Sequence, residues 1–162
     1  MNARRSTVAA ILFLVAIAAG AAEPSPVTTV SFFVSARGTD RSRNLSEGDL
    51  RRIFLGEISR WPNGHRIVLY VRPFDSAAGR VFLDRLIRMS DIDYAQWWLG
   101  AVFRGRAAAA PRVMATPDSM SKAVAANADA IGFDSQAPDA ELLVLTIDGR
   151  VPSDPRYAIR AR

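Results

Sequence analysis

An arginine and a serine four positions apart are the residues of this chain whose types and spacing best suit chemistry. Arg72 follows the apolar residues 67–71, and Ser76 precedes a stretch with helical periodicity. If residues 67–71 form a strand, Arg72 lies at its C-terminal end, where open α/β sheets bind ligands. If Ser76 caps the helix, the N–H groups of Ala77 and Ala78 face outward at its positive end. An oxyanion suits that position, and the arginine can add a two-pronged contact.

The elements that must position these residues are predicted from apolar periodicity and cap residues. Ser46 and Asp49 have the spacing of a helix N-terminus, and Gly56 is typical of a left-handed helix C-terminus. Residues 67–71 are apolar without alternation, which is typical of a strand covered on both faces in a parallel sheet. Residues 76–89 carry apolar side chains at helical spacing, so they predict the helix that Ser76 caps.

Further strands and a turn are predicted in both halves of the chain. Residues 27–35, 130–133 and 142–147 are rich in β-branched and other apolar residues, and each predicts a strand. Asp148 and Gly149 predict a turn after the last of them.

Two more helices are predicted between these strands. One contains Trp97 and Trp98, with Asp91 or Asp93 as its expected N-cap, whereas the small residues 100–110 predict a linker. Adjacent tryptophans point to different helix faces, so one is expected in the core and the other at the surface.

Thr116 and Pro117 predict the start of the last helix, and Asn127 its end. Strands alternating with helices predict an α/β layered domain.

The first residues predict an export signal. Arg4 and Arg5 are followed by an apolar run over residues 8–19 and then by small residues before Glu23. This order is typical of a cleaved secretory signal peptide, predicted here as residues 1–22, with one domain over residues 23–162. An N-terminal membrane anchor is the alternative, which the shortness of the run disfavours. A bacterial periplasm is the expected location.

Composition excludes several kinds of site. The chain has no cysteine, which rules out disulfides and thiolate metal sites, and His65 is its single histidine. That residue lies in a predicted loop and is expected to be solvated, and Trp61 nearby is expected to pack a turn. Asp91, Asp93 and Asp134 are not paired by spacing, so we expect no catalysis, no metal and no cofactor. The formal charge of +5 comes from scattered arginines, which argues against nucleic-acid binding.

The order of motifs resembles the substrate-binding proteins of phosphate ABC transporters. Residues 51–61, RRIFLGEISRW, are similar to that family's helix, glycine turn and tryptophan. Residues 119–133, SMSKAVAANADAIGF, resemble its late helix and following strand. Residues 147–162, IDGRVPSDPRYAIRAR, resemble its terminal turn and Tyr-x-x-x-Arg segment. The resemblance runs from about Val30 to the C-terminus.

The resemblance implies a ligand and a set of site residues. Arg72 matches the family's phosphate-binding arginine, and Ser76 matches its serine. Ala77 stands where the family has glycine, and Ala78 where it has threonine, so one hydroxyl donor is missing. The implied ligand is inorganic phosphate or a similar oxyanion, and the implied role lies in phosphate uptake or sensing.

The resemblance also implies a fold and a limit on binding. Family members have two lobes, and this chain resembles only the second lobe of such a type II periplasmic binding protein, a mixed sheet flanked by helices. The expected site is therefore half a site, and we expect weak anion binding by a monomer, with tighter binding where a partner covers it.

Two other interpretations remain open. Arg72 and Asp75 can form a surface ion pair, with Ser76 an ordinary helix cap. The chain can also be an interaction module that has lost the ligand and docks on a membrane transporter, a sensor or a second copy of itself. Replacing Arg72 with alanine is expected to separate binding from interaction, with little loss of fold.

Overall fold

The structure, a computed structural model, describes residues 27–38, 43–139 and 141–161. The predicted signal peptide lies outside this part of the chain. The strands are β1 (Ser31–Ser35), β2 (Asn44–Leu45), β3 (Val68–Val71), β4 (Arg112–Val113), β5 (Ala130–Asp134), β6 (Leu142–Val144) and β7 (Thr146–Ile147). The helices are α1 (Glu47–Phe54), α2 (Ala77–Val81), α3 (Asp91–Phe103) and α4 (Pro117–Ala126), and a π-helical segment, Phe82–Ile87, continues α2. Within the described ranges, no helix is long and apolar enough to cross a membrane.

Five of the strands form one mixed sheet, in the order β4-β3-β5-β1-β6. Strand β3 is parallel to both of its neighbours, β4 and β5. Strand β1 is antiparallel to β5 and to β6. The two short strands β2 and β7 pair separately and in parallel. The predicted mixed α/β sheet with flanking helices is confirmed.

Helices cover both faces of the sheet. On one face, Phe32 and Phe133 of the sheet pack against Phe54 of α1 and Phe82 of the π-helical segment. The rings of Phe82 and Phe133 are stacked with centroids 4.3 Å apart. On the other face, α4 packs its apolar side against the sheet. Burial on both faces explains why the residues of β3 are apolar without alternation.

Local cap chemistry explains where the helices begin and end. The Ser46 side chain accepts a hydrogen bond from the backbone N–H of Asp49 at 2.9 Å, and Thr116 caps α4 in a reciprocal pair with Ser119. Gly56 has φ +73° just after α1, and Asn127 is the C-cap of α4, as predicted.

The start of α3 differs from the prediction. Its N-cap is Ser90, whose side chain accepts from the N–H of Asp93 at 3.1 Å. Asp91 and Asp93 lie in the first turn, where the helix dipole favours acids but where they do not cap. The prediction that one of them caps the helix is therefore wrong.

Several predicted boundaries also differ. Helix α3 continues to Phe103, so residues 100–103 are helical rather than part of a linker. The first predicted strand is shortened to β1, and residues 142–147 form two strands, because β6 pairs with β1 whereas β7 pairs with β2. The helix predicted over residues 76–89 ends as a π-helical segment.

Candidate functional site

Strand β3 delivers Arg72 to the C-terminal edge of the sheet, as its position after Val71 predicts. The Arg72 side chain is only 9% exposed. The turn that follows packs directly on the next helix, because a β-carbon added at Gly79 would lie 2.0 Å from the carbonyl oxygen of Pro73. The glycine therefore allows the close approach that holds Arg72 beside the start of α2.

A buried carboxylate is the ion-pair partner of Arg72. Its Nε lies 2.9 Å from Oδ2 of Asp134, a side chain that is 5% exposed. The N–H is not aligned with that oxygen as in a hydrogen bond, so the contact is ionic. Arg72 Nη1 donates to the carbonyl oxygen of Met114 at 2.6 Å. Two of the three guanidinium nitrogens thus have partners inside the protein, and Nη2 donates to no other described residue.

The carboxylate of Asp134 is itself held in place by backbone groups. Its Oδ1 accepts from the N–H of Ser135 at 2.7 Å and from that of Gln136 at 3.3 Å. Because the carboxylate is fixed in this way, it orients the guanidinium and also reduces the net positive charge of the site.

Ser76 is the N-cap of α2, as predicted. Its Oγ accepts from the N–H of Gly79 at 3.0 Å, and its hydroxyl donates to the carbonyl oxygen of Pro73. The hydroxyl proton is therefore used within the turn, and a bound anion must compete with a backbone carbonyl for it.

The N–H groups of Ala77 and Ala78 donate to no other group that the structure describes. The first intrahelical bond begins at the N–H of Arg80, which donates to the Ser76 carbonyl at 3.0 Å. Ala77 is exposed and Ala78 is buried. Helix α2 is short, but it runs without a break into the π-helical segment, so the amides begin a continuous helical stretch.

The alternative interpretation, an ion pair between Arg72 and Asp75, is wrong, because Arg72 pairs with a different carboxylate. Asp75 is exposed, and its carbonyl oxygen accepts from Nη1 of Arg80. The arginine pairs instead with Asp134.

Sequence reasoning missed Asp134 as a partner for Arg72. The signal was present, since each residue directly follows a buried apolar run. Parallel neighbouring strands end at the same edge of a sheet, and β3 and β5 are such neighbours. What the sequence lacked was the pairing of these two strands.

Other residues considered from sequence lie elsewhere. Trp61 is buried in its turn, as expected, and donates to the Asp129 carbonyl at 2.9 Å. His65 is half exposed, and its Nδ1 lies 3.0 Å from the Asp129 carboxylate. Trp98 is buried, whereas Trp97 is partly exposed and donates to the Leu55 carbonyl. Among the described residues, no cluster of three His, Cys, Asp or Glu side chains is placed to hold a metal ion.

Solved structures of phosphate-binding proteins share this fold. The chain is similar to an ABC-type phosphate transport receptor from Vibrio cholerae, with 18% identity and a TM-score of 0.63, over 83% of this chain and 54% of that one. It is similar to a putative phosphate ABC transporter substrate-binding protein with bound phosphate from Clostridium perfringens, with 14% identity and a TM-score of 0.66, over 83% and 53%. It is also similar to PstS from Borrelia burgdorferi, with 16% identity and a TM-score of 0.63, over 84% and 55%.

These likenesses establish the fold and its extent. The chain spans about half the length of the solved structures it matches. It therefore has the fold of one lobe of a phosphate ABC transporter substrate-binding protein. No protein-family model matches the sequence, and no curated protein is significantly similar to it.

Proposed function

We propose that this protein binds an inorganic oxyanion, with phosphate as the first candidate, at Arg72, Ser76, Ala77 and Ala78. The observation that carries the proposal is an arginine at the end of β3, four positions before Ser76, whose helix begins with two amides that have no partner among the described residues. The fold supports it, because solved structures with this fold include one described with bound phosphate. The proposed role is solute binding without turnover, in phosphate uptake or sensing, in the periplasm after removal of residues 1–22.

The proposed binding mode uses donors from one side of the anion. Arg72 contributes Nη2, the two alanine amides contribute N–H groups, and the Ser76 hydroxyl turns from Pro73 to the ligand. Two charge-assisted hydrogen bonds, from Arg72 and Ser76, of about 1.5–3 kcal/mol each, together with a helix terminus of about 0.3–1 kcal/mol that accounts for the two amides, sum to roughly 4–6 kcal/mol. This corresponds to a dissociation constant between about 1 mM and several tens of µM. The nearby Asp134 carboxylate repels the anion, so we place the affinity at the weak end of that interval.

Isothermal titration of the protein with phosphate tests the proposal. We expect saturable heat for the natural protein and tighter binding by Asp134→Asn, because that change removes a negative charge beside the anion. The same change leaves Arg72 without its buried partner, so it is also expected to lower the free energy of unfolding. The doubly substituted Arg72→Gln/Asp134→Asn protein replaces both charged groups by neutral amides and leaves no buried charge, and it is expected to lose the response. Arg37→Gln, at an exposed position outside the site, is the control and is expected to bind phosphate as the natural protein does.

The ion pair makes Arg72→Ala unsuitable as the only binding variant. Removing one member of a buried pair leaves an uncompensated charge and typically costs about 3–5 kcal/mol, so the expected small loss of fold does not hold for this residue. Thermal unfolding of each variant checks that the fold is kept. If phosphate gives no heat up to about 10 mM, or if the double variant binds as tightly as Arg37→Gln, the proposal is wrong.

A second candidate function is protein interaction, and an exposed apolar row on α3 favours it. The exposed fractions of Ile92, Leu99 and Phe103 are 65%, 72% and 90%. Their spacing of seven and four positions places them on one face of the helix, with Ala95 between the first two. A helix of a globular protein normally buries such a face against another element.

We propose a second copy of the same chain as the occupant of this face. Asp91 and Asp93 lie in the first turn of α3, and Arg104 directly follows its last residue. In an antiparallel pair of α3 helices related by a twofold axis, each acidic end meets the basic end of the other copy. The apolar rows then face one another along a helix of about 20 Å. The mass of the protein in solution distinguishes this candidate from a monomeric anion-binding protein.

A further inference from the structure

We propose a second ligand site, separate from the one around Arg72, that binds a small organic anion with an apolar ring system. It is a cavity of ≈ 450 Å³ between the segment after α1, the beginning of β3, β4 and residues 105–110. That volume lies in the range of about 300–1,000 Å³ typical of small-molecule sites.

Three arginines line this cavity, and no carboxylate does. Arg66, Arg106 and Arg112 all contribute to the wall, and none of them forms an ion pair with a carboxylate of the described residues. The guanidinium of Arg106 lies over the ring of Trp97, 5.6 Å from its centroid. Other exposed arginines, such as Arg37 and Arg88, have an acidic partner.

Because arginines line the cavity and no acidic residue does, the cavity favours anionic ligands. Three like charges around one concave space raise its potential, and the low-dielectric wall strengthens the effect. A bound anion relieves the repulsion between the arginines, whereas a neutral or cationic ligand does not.

The other residues of the cavity wall favour a ligand that also has an apolar part. It contains Ile53, Ile58 and the side of Trp98, together with the alanines of residues 107–110. Strand β4 has only two residues and pairs with the last two of β3, so the beginning of β3 is left open to this space. A flat ring system with one or more anionic groups can contact the apolar residues through its ring and the arginines through its charge.

The cavity is separate from the proposed phosphate site. Arg66 precedes β3 and Arg72 follows it, and a strand of four residues spans about 13 Å. No residue of the Arg72 site contributes to the cavity wall. The two proposals are therefore independent, and an experiment that contradicts one of them does not contradict the other.

Fluorescence titration with a pair of dyes tests this site. The anionic dye is 8-anilinonaphthalene-1-sulfonate, and the neutral dye is N-phenyl-1-naphthylamine, which has the same rings without the sulfonate. We expect saturable binding of the sulfonate that is much tighter than that of the neutral dye and that weakens with salt. Arg66→Gln/Arg112→Gln is expected to weaken sulfonate binding about tenfold or more and to leave neutral-dye binding unchanged.

Two further variants make the test specific. Arg37→Gln/Arg156→Gln removes the same charge from exposed positions outside the cavity and is expected to bind the sulfonate as the natural protein does. Ala109→Trp keeps all three arginines but fills the space, and it is expected to abolish binding. The proposal is overturned if the control pair weakens binding equally, if both dyes bind alike, or if Ala109→Trp binds as the natural protein does. Circular dichroism confirms that each variant is folded.

Discussion

At the scale of single residues, the pairing of Arg72 with Asp134 decides how the candidate site works. Both side chains are nearly enclosed, and backbone amides fix the carboxylate. The arginine is therefore a preorganised donor whose charge is already partly neutralised. The ion pair orients the guanidinium but lowers its affinity for an anion. It therefore suits a site that holds its ligand weakly or that receives further donors from a partner.

Two buried tyrosine hydroxyls provide a matched pair for a stability test. Tyr94 donates its hydroxyl to the Phe54 carbonyl at 2.8 Å, whereas the Tyr157 hydroxyl has no hydrogen-bond partner among the described residues. Burial raises the pKa of both above the ordinary value of 10.0. Tyr94→Phe is expected to lower the free energy of unfolding by about 0.5–1.5 kcal/mol, because it removes one of two hydrogen bonds to the buried Phe54 carbonyl and leaves only that from Nε1 of Trp98, at 3.2 Å. Tyr157→Phe is expected to leave it unchanged or to raise it.

Urea unfolding of both variants at neutral pH measures this difference. Each substitution removes the same hydroxyl from a buried ring, so the loss of the atom itself cancels in the comparison. Equal destabilisation by the two changes would show that the Tyr157 hydroxyl has a partner, and the expectation for that residue would then be wrong.

At the scale of the elements, residues with local partners were predicted and residues with distant partners were not. Ser46, Ser76 and Thr116 cap helices through contacts three positions away, which a sequence pattern contains. Asp134 meets Arg72 only because β3 and β5 are neighbours, and no local pattern carries that information. The N-cap of α3 is an exception, because its contact is also local but three residues suited to caps stand close together, and the sequence pattern does not select Ser90 among them.

Gly79 is the element-scale feature that fixes the turn at the candidate site. A β-carbon at this position would lie 2.0 Å from the Pro73 carbonyl oxygen, a backbone atom that cannot move independently. Gly79→Ala is therefore expected to lower the free energy of unfolding by about 1–3 kcal/mol. It is also expected to weaken phosphate binding, because the turn between Arg72 and the helix must open.

Gly48→Ala in α1 is the matched control for that substitution. A β-carbon there would meet only the Ser46 hydroxyl oxygen, at 3.8 Å, so the change keeps the packing. The higher helix propensity of alanine is expected to raise the free energy of unfolding by a few tenths of a kcal/mol up to about 1 kcal/mol. Thermal unfolding of the two proteins should shift in opposite directions, and a shift of the same sign in both would contradict the close contact at Gly79.

At the scale of the whole molecule, the order of the strands was the part of the fold that residue patterns alone did not provide. Apolar runs and cap residues predicted most elements and their alternation, but pairing partners depend on which faces pack together. The resemblance to phosphate-transporter binding proteins supplied the missing architecture, and the solved structures confirm it at the level of one lobe. A site proposed within one lobe offers donors on one side of the anion only, which agrees with the half-length match.

The exposed face of α3 gives the last prediction, which concerns association of two copies. We expect the mass of the protein, measured by sedimentation equilibrium, to rise from monomer to dimer with concentration. Leu99→Gln and Phe103→Ser are each expected to weaken the dimer roughly 100-fold or more. Each of these side chains contributes about 2 kcal/mol when buried, and a symmetric interface counts it twice.

A control variant and a set of charge-reversal variants distinguish this interface from non-specific association. Val151→Ser removes an apolar side chain that is 49% exposed and lies outside α3, so it is expected to leave the dimer intact. Arg104→Glu places like charges at both ends of the antiparallel pair and is expected to weaken the dimer, whereas combining it with Asp91→Arg and Asp93→Arg restores the charge match. A parallel arrangement predicts no such rescue, and a monomer at every concentration would leave the α3 face without the proposed occupant. The rescue therefore tests the direction of pairing as well as its existence.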